Sequence, residues 1–468
     1  VDVHDYARHD AVGLAALIRQ GQVSAAEVES AARDALTLAH ARLNALTGPL
    51  LDASTAYDPR GPLAGVPFVI KDSGPFTRGV PSALGSRGLL AVARHDHALM
   101  ERLRAAGLTA LGQSTAPELG LNFATEPRRH GPTRNPWDTD FGVGGSSGGA
   151  AALVAAGAVP FAHGNDGAGS LRVPASACGV VGLKPTRGRT PCGPDAGEAG
   201  YGLVTEFGLT RTVRDAAHLL DALGAPPLGE KFVAPAPARP FAQAVLRDPG
   251  RLRIAVTTRP WAETDVDPGV AEAALDTARA LEWIGHTVHE DAPVLDPEDV
   301  VEGCLLAATA TGTALLRLPH RPDPAMMEAV SRQVLAETRR CTAVEIAGAL
   351  QAQHRVTRTV SRFLDTHDLL VTPTLGRPPA RHGTLDYDAP GHSVRSWLRR
   401  ILSYGPFTAP FNVSGHPAIS LPLAQSPRGL PIGVQLVAAA GREDLLLMVA
   451  AQLEAALPWH DRLPPAHV

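Results

Sequence analysis

A lysine ending an apolar run, a serine pair set among glycines and a third serine behind a glycine-rich turn are the residues here that could do nucleophilic chemistry. Lys71 directly follows "GVPFVI", Ser146 and Ser147 sit inside "GGSSGG", and Ser170 closes the "GAG" of "HGNDGAGSLRVPAS". A serine hydroxyl is a weak nucleophile until a neighbouring base takes its proton. Of the 43 basic residues only Lys71, Lys184 and Lys231 are lysines, and lysine, unlike arginine, can become a neutral base when desolvated. A free lysine titrates near 10.4, so neutrality around pH 7 to 8 requires about 3 to 4 kcal/mol against the ammonium, which burial can supply. The apolar flanks "AAALVAAGAVPFA" and "CGVVGL" clamp the turn at both ends, so its Gly167, Ala168 and Gly169 read as a rigid nest of N–H groups rather than a linker. Such a nest receives an anion or a developing oxyanion.

These groups need a scaffold of strands and helices. Ser24 and Glu27 stand in capping-box spacing ahead of a helical run. From residue 61 short apolar runs broken by Gly and Pro take over: "LAGVPFVI", a helix over about 96–106, "LTALGQST", a helix after "GGSSGG", then "CGVVGLKP". Residues 225–250, rich in Pro and Ala, read as a surface excursion. "RLRIAVTT" is a strand candidate, Asp267 and Pro268 open a helix that Gly285 closes, and "HDLLVTPT" is another strand. "AISLPLAQ" and "LPIGVQLVA" form a hairpin across "SPRG". No linker separates balanced halves, so the expected fold is a single large α/β domain, 1–468, with a central mixed β-sheet covered by helices. Its core falls at about 61–215, and a C-terminal half at about 225–460 completes the sheet and the substrate pocket.

Composition bounds the partners. With 44% apolar and 19% charged residues the chain is globular, and a net charge of −4 provides no basic field for nucleic acid. Cys178, Cys192, Cys304 and Cys341 show neither paired nor zinc-ligand spacing, so no disulfide, metal or cofactor is expected. The longest bland apolar run, 149–162, is shorter than the ~20 residues of a membrane span, and no leader-like segment opens the chain. A cytoplasmic setting, with neither membrane nor nucleic acid, is the expectation.

In this order and spacing "GVPFVIKD", "PWD", "GGSSGG", "GNDGAGSLRVPAS" and "GLKPTRG" resemble the amidase signature family of hydrolases, including the 24-residue step from Ser146 to Ser170. The likeness runs from about residue 8 to 460 and takes in "PFTAPFNVSGHPAISLPL" and "GLPIGVQLV". "RHGPTRNPWD" and "HGNDGAGSLR" look most like the branch that includes 6-aminohexanoate cyclic dimer hydrolases. The resemblance implies an amide-bond hydrolase with Ser170 as nucleophile, Ser146 as bridging serine after a cis bond from Gly145, and Lys71 as base. It implies an oxyanion hole from the N–H groups of Gly167, Ala168, Gly169 and Ser170, an acyl-enzyme on Ser170, and a small-molecule amide as partner. A homodimer is left open.

Around these, Ser147 reads as a helix N-cap whose hydroxyl steadies the relay, and Asp166 and Arg172 as braces of the loop. Lys184 reads as a packing or surface residue and Lys231 as exposed. Asn122 is either a surface residue or a substrate contact; Cys304, Tyr404 and Phe407 are substrate-contact candidates on position alone. The family usually has glycine where this chain has Ala168, a change that costs about 1 to 2 kcal/mol only if the position is left-handed; it is expected to be harmless.

Other readings compete. "GGSSG" satisfies the G-x-S-x-G elbow of Ser-His-Asp α/β-hydrolases, but that motif needs a strand before it, where "RNPWDTDFGV" is polar. The glutaminase subunit of a tRNA-dependent amidotransferase is disfavoured by the acidic balance and by "LRVPAS" after the turn. A catalytically silent scaffold is disfavoured by the complete set of Lys71, Ser146 and Ser170.

Overall fold

The computed structural model describes residues 2–52, 57–194, 196, 198–224 and 229–468. Among the described residues there are twelve strands: β1 Pro67–Lys71, β2 Pro81–Ser82, β3 Ala91–Val92, β4 Thr109–Ser114, β5 Phe161–Asp166, β6 Val181–Lys184, β7 Thr205–Thr210, β8 Arg253–Val256, β9 Thr287–Glu290, β10 Leu369–Pro373, β11 Ala418–Gln425 and β12 Pro431–Ala438. Ten of them form one sheet in the order β4-β1-β5-β7-β6-β11-β12-β10-β8-β9, while β2 and β3 pair separately. The sheet is mixed. β4, β1 and β5 run parallel at one end and β10, β8 and β9 at the other, with antiparallel pairs between them. Helices cover it, giving the single large α/β domain that the strand and helix patterns predict.

Local chemistry explains the boundaries. Ser24 accepts the Glu27 N–H while the Glu27 carboxylate returns to the Ser24 N–H, so the helix Ala25–Leu43 starts on a complete capping box. Asp267 caps the helix Pro268–Ile284, and Gly285, at φ 117°, ends it in the left-handed conformation. β11 and β12 form the expected antiparallel hairpin, with Ser420 opposite Gln435. Strand β1 is buried on both faces, which is why "PFVIK" shows no alternation. The helix Gly148–Ala155 is buried all round, consistent with a sequence of Gly, Ala, Leu and Val that has no polar side.

Two regions go beyond the sequence reading. The excursion expected at 225–250 begins at 225–228, outside the described residues, but residues 229–250 do more than cover the surface. A short helix, Phe241–Ala244, buries Phe241 beneath the Arg189 guanidinium, 5.4 Å from the ring centre, and Arg189 is itself paired with Glu443 in the core. The helix Pro297–Leu316 is long and apolar enough to cross a membrane by length and composition. Its apolar character has a local use. Helices Ala329–Thr338, Ala343–Thr366 and Val394–Tyr404 pack against it, and one of its faces looks into a cavity.

Candidate active site

Strand β1 ends on Lys71, whose side chain is fully buried. Nζ lies 2.8 Å from Ser146 Oγ and 2.6 Å from Asn165 Oδ1. Asn165 Oδ1 can only accept, so one N–H of the amine is committed there. At the other contact Nζ donates to Ser146 Oγ as an ammonium, whereas a neutral amine can turn its lone pair to the Ser146 hydroxyl and accept its proton. Burial dominates and lowers the Lys71 pKa to about 7, while the charges of Glu206 and Asp166 pull the other way.

A hydrogen-bonded network holds the amine in place. The Lys71 backbone N–H donates to His163 Nδ1 at 3.4 Å, so the ring proton sits on Nε2 and goes to Glu206 Oε2 at 2.8 Å. The Asn165 amide N–H₂ donates to Glu206 Oε1 at 3.3 Å and Ser73 Oγ at 3.4 Å, which fixes its carbonyl toward Lys71. Burial raises the proton affinity of Glu206, but its hydrogen bond to His163 and its interactions with His163, His97 and Lys71 together outweigh burial and leave the carboxyl below its ordinary value. Burial likewise lowers the His163 pKa, against the pull of Glu206. His163 therefore spends both ring nitrogens on Lys71 and Glu206, and neither is free to serve a serine.

Ser146 follows a cis peptide bond from Gly145. A Cβ on Gly145 would stand 2.6 Å from the Asn122 carbonyl oxygen, so only glycine lets this turn lie against the 122–124 backbone. Ser147 corrects the expectation placed on it. It is the N-cap residue of Gly148–Ala155, but its hydroxyl makes no cap and donates instead to the Asn165 carbonyl at 3.2 Å. Its backbone N–H donates to the Ser170 carbonyl at 3.2 Å, tying the two serine-bearing turns together. No strand leads directly into "GGSSG", which lacks the setting of a nucleophile elbow.

Strand β5 feeds the Ser170 turn through Asp166. The Asp166 carboxylate receives Arg172 Nε at 2.9 Å and Nη2 at 3.0 Å, together with the Leu171 N–H at 3.1 Å. Burial opposes its ionisation, but Arg172 overcomes that and holds the carboxyl well below the usual range. Arg172 Nη1 continues to the Thr408 carbonyl at 2.8 Å and Gln435 Oε1 at 2.7 Å, and Asn412 Nδ2 reaches Asp166 Oδ1 at 2.8 Å. Asp166 and Arg172 thus tie the loop to the C-terminal half.

The left-handed turn falls on Gly169, φ 146°, where a Cβ would meet Thr408 Oγ1 at 2.4 Å. Ala168 is not left-handed, and its carbonyl accepts from Thr408 Oγ1 at 2.6 Å. Its methyl therefore carries no backbone penalty. Among the described residues no group accepts from the N–H of Gly167, Ala168, Gly169 or Ser170, leaving that nest available.

Ser146, Ser170, Gly167, Ala168 and Asn165 open onto one cavity of about 380 Å³. One wall is the helix Pro297–Leu316, presenting Cys304, Ala307, Thr311 and Ala314; Phe76, Leu119 and Phe123 are among the other apolar residues that line it. Among the described residues its charged lining is Glu198 and Glu206, with no lysine or arginine. Asn122 lies on the wall but is no surface residue. It is buried, donates to the Leu385 carbonyl at 3.0 Å and accepts the Ala124 N–H at 3.2 Å. Cys304 lines the cavity. Tyr404 and Phe407 do not. Tyr404 turns its hydroxyl to the Ala380 N–H at 3.3 Å, and Phe407 packs into the core against Trp261, ring centres 6.1 Å apart.

Lys184 is fully buried, which removes its surface alternative. It donates to the Pro185 carbonyl at 2.7 Å, and burial first, then the Arg172 charge, lower its pKa to about 7. Lys231 is exposed and paired with Glu198. Asn165, His163 and Glu206 were not singled out from sequence. The first two alternate along one strand inside the quoted turn motif, the available signal, but Glu206 joins them only through the pairing of β5 with β7.

Comparison with known proteins converges on one group. The family described as Amidase matches residues 20–447. A 6-aminohexanoate-cyclic-dimer hydrolase of Pseudomonas sp. is 39% identical over 478 aligned residues, covering 97% of this chain and 96% of that enzyme. An acylamidase of Rhodococcus erythropolis is 34% identical over 86% of this chain and 84% of its own length. Among solved structures, a 6-aminohexanoate cyclic dimer hydrolase superposes with TM-score 0.92 at 38% identity, over 100% of this chain and 99% of that one. With the motif order, the ten-stranded mixed sheet and relatives matched end to end, the conclusion follows that this chain belongs to the amidase family.

Proposed function

We propose that the chain hydrolyses amide bonds through a covalent acyl intermediate on Ser170. Lys71, as the free amine, takes the Ser146 hydroxyl proton while Ser146 takes that of Ser170. Ser170 Oγ then adds to the substrate carbonyl carbon, and the nest at 167–170 receives the developing oxyanion. Collapse breaks the C–N bond, and the departing nitrogen collects its proton back through Ser146 from the Lys71 ammonium. Water enters by the same relay in reverse roles, and the carboxylic acid leaves Ser170 free.

The observation that carries this reading is the fully buried Lys71 amine 2.8 Å from Ser146 Oγ. The relatives named above, hydrolases of a cyclic dimer and of acylamides, support the same bond type. The cavity supports a narrower substrate class, uncharged amides with an apolar acyl part. A free carboxylate on the substrate would find Glu198 and Glu206 on the wall and no basic side chain. That also weighs against glutamine as the amide donor.

The test is labelling by a serine-directed phosphonate, located by peptide mass spectrometry, alongside the pH profile of kcat/KM on a neutral linear amide. Label on Ser170, its loss in Ser170→Ala, and an activity limb that rises with pH through about 7 are expected, the last because the active base is the deprotonated Lys71. Label elsewhere, or full activity in Lys71→Met, refutes the mechanism.

A further inference from the structure

The far edge of the sheet holds a second group of chemistry-bearing side chains, unrelated to the serines. His289 lies on the edge strand β9, Asp291 comes two residues later, and His367 caps the C-terminal end of the helix Ala343–Thr366. His289 Nε2 and His367 Nε2 stand 2.9 Å apart, and Asp291 Oδ2 is 3.5 Å from His367 Nε2. The three candidate ligand atoms lie within 4.8 Å of one another.

The surroundings decide which way the buried imidazole faces. His367 Nδ1 is 3.0 Å from the Phe363 carbonyl, which can only accept, and 3.1 Å from Thr366 Oγ1, whose own hydroxyl donates to that carbonyl at 3.0 Å. Nδ1 therefore carries the ring proton. The Nε2 lone pair is left pointing at His289 and Asp291, and the Phe363 ring stacked 4.2 Å from the imidazole keeps it there. A carbonyl holding the remote N–H is the arrangement that orients metal-binding histidines. One Asp291 oxygen accepts the Ala292 N–H at 2.8 Å, leaving Oδ2 for the cluster.

We infer that His289, Asp291 and His367 form a binding site for a divalent transition metal of the zinc class, clamping the edge strand β9 to the end of the helix Ala343–Thr366. Two nitrogens 2.9 Å apart subtend about 90° at an ion 2.0 to 2.1 Å from each, so opening toward a tetrahedron needs about half an ångström. His289 and Asp291 are exposed and can supply it. The Asp291 to His367 distance of 3.5 Å already suits that geometry. Two imidazoles and one carboxylate select zinc, nickel or copper over calcium or magnesium. Sequence spacing pointed to no such site because 78 positions separate the two histidines.

The experiment uses the full, tag-free chain stripped with a chelator, titrated with zinc chloride at neutral pH by calorimetry and assayed for metal per chain after desalting. One equivalent is expected. His289→Ala and His367→Gln each weaken it by about 100-fold, while His460→Ala, which alters a histidine outside the cluster, leaves it unchanged. Retained folding of the His289→Ala chain is checked by circular dichroism. Failure to hold an equivalent of zinc, or equal binding by wild type and the two cluster variants, overturns the site and leaves the contact as a histidine–histidine hydrogen bond.

Discussion

Lys71 owes its reactivity to what it touches and to what it does not. Its amine meets one obligate acceptor and one hydroxyl, and the carboxylates that raise its proton affinity, Glu206 and Asp166, act on it only through space. Glu206 raises the proton affinity of Lys71, so removing that charge has a definite sign. Glu206→Gln keeps an acceptor for His163 Nε2–H and should let the amine stay neutral to lower pH. The rising limb of the kcat/KM profile should then move below about 7, increasing the ratio of activity at pH 6 to that at pH 8 severalfold. A limb that stays put or moves up would show that Glu206 does not set the base. At this scale the sequence was informative where a residue was rare or its neighbours distinctive: a lysine in an arginine-rich chain, serines amid glycines. It was silent on Asn165 and Glu206, which are ordinary polar residues until strand pairing sets them opposite each other.

The helix Pro297–Leu316 shows what an element contributes beyond its residues. Its small side chains at 304, 307, 311 and 314 recur at helical spacing and leave room where larger ones would fill the cavity. Ala307→Phe should therefore raise KM for a bulky acyl amide by about tenfold or more while sparing a small one such as an acetamide. Steady-state kinetics on the two substrates checks this, and an equal effect on both would point to misfolding instead. Strands and caps at this scale were readable, since β-branched runs, Asp267-Pro268 and the Ser24/Glu27 box are local signals. The faces were not. Tyr404 and Phe407 lie in a segment of the right general region, yet the end of the helix Val394–Tyr404 turns Tyr404 toward Ala380 and the turn after it sends Phe407 into the core against Trp261. No local pattern distinguishes a cavity-facing aromatic from a core one.

Across the whole molecule, the two halves of the chain meet at Arg172. Its guanidinium joins Asp166 at the end of β5 to Thr408, Asn412 and Gln435 of the C-terminal half, with both Arg172 and Asp166 fully buried. Arg172→Leu would leave the Asp166 carboxylate buried without its cation, a loss of about 3 to 5 kcal/mol. Urea unfolding followed by fluorescence should show that loss, with phosphonate labelling of Ser170 falling in parallel. A stable variant with normal labelling would mean the brace is dispensable. The single α/β domain was legible from the alternation of strand and helix signals without a linker, but this joint was not, because its partners lie 236 and 263 positions from Arg172.

That joint also orders events during synthesis. Lys71, Ser146 and Ser170 all leave the ribosome well before Thr408, Asn412 and Gln435, whose polar groups complete the cradle around Asp166 and Arg172. A nascent or prematurely terminated polypeptide carries every reacting side chain yet lacks the far-end partners that hold the serine turn, so competence arrives late in translation and a stop codon before position 435 yields an inert product.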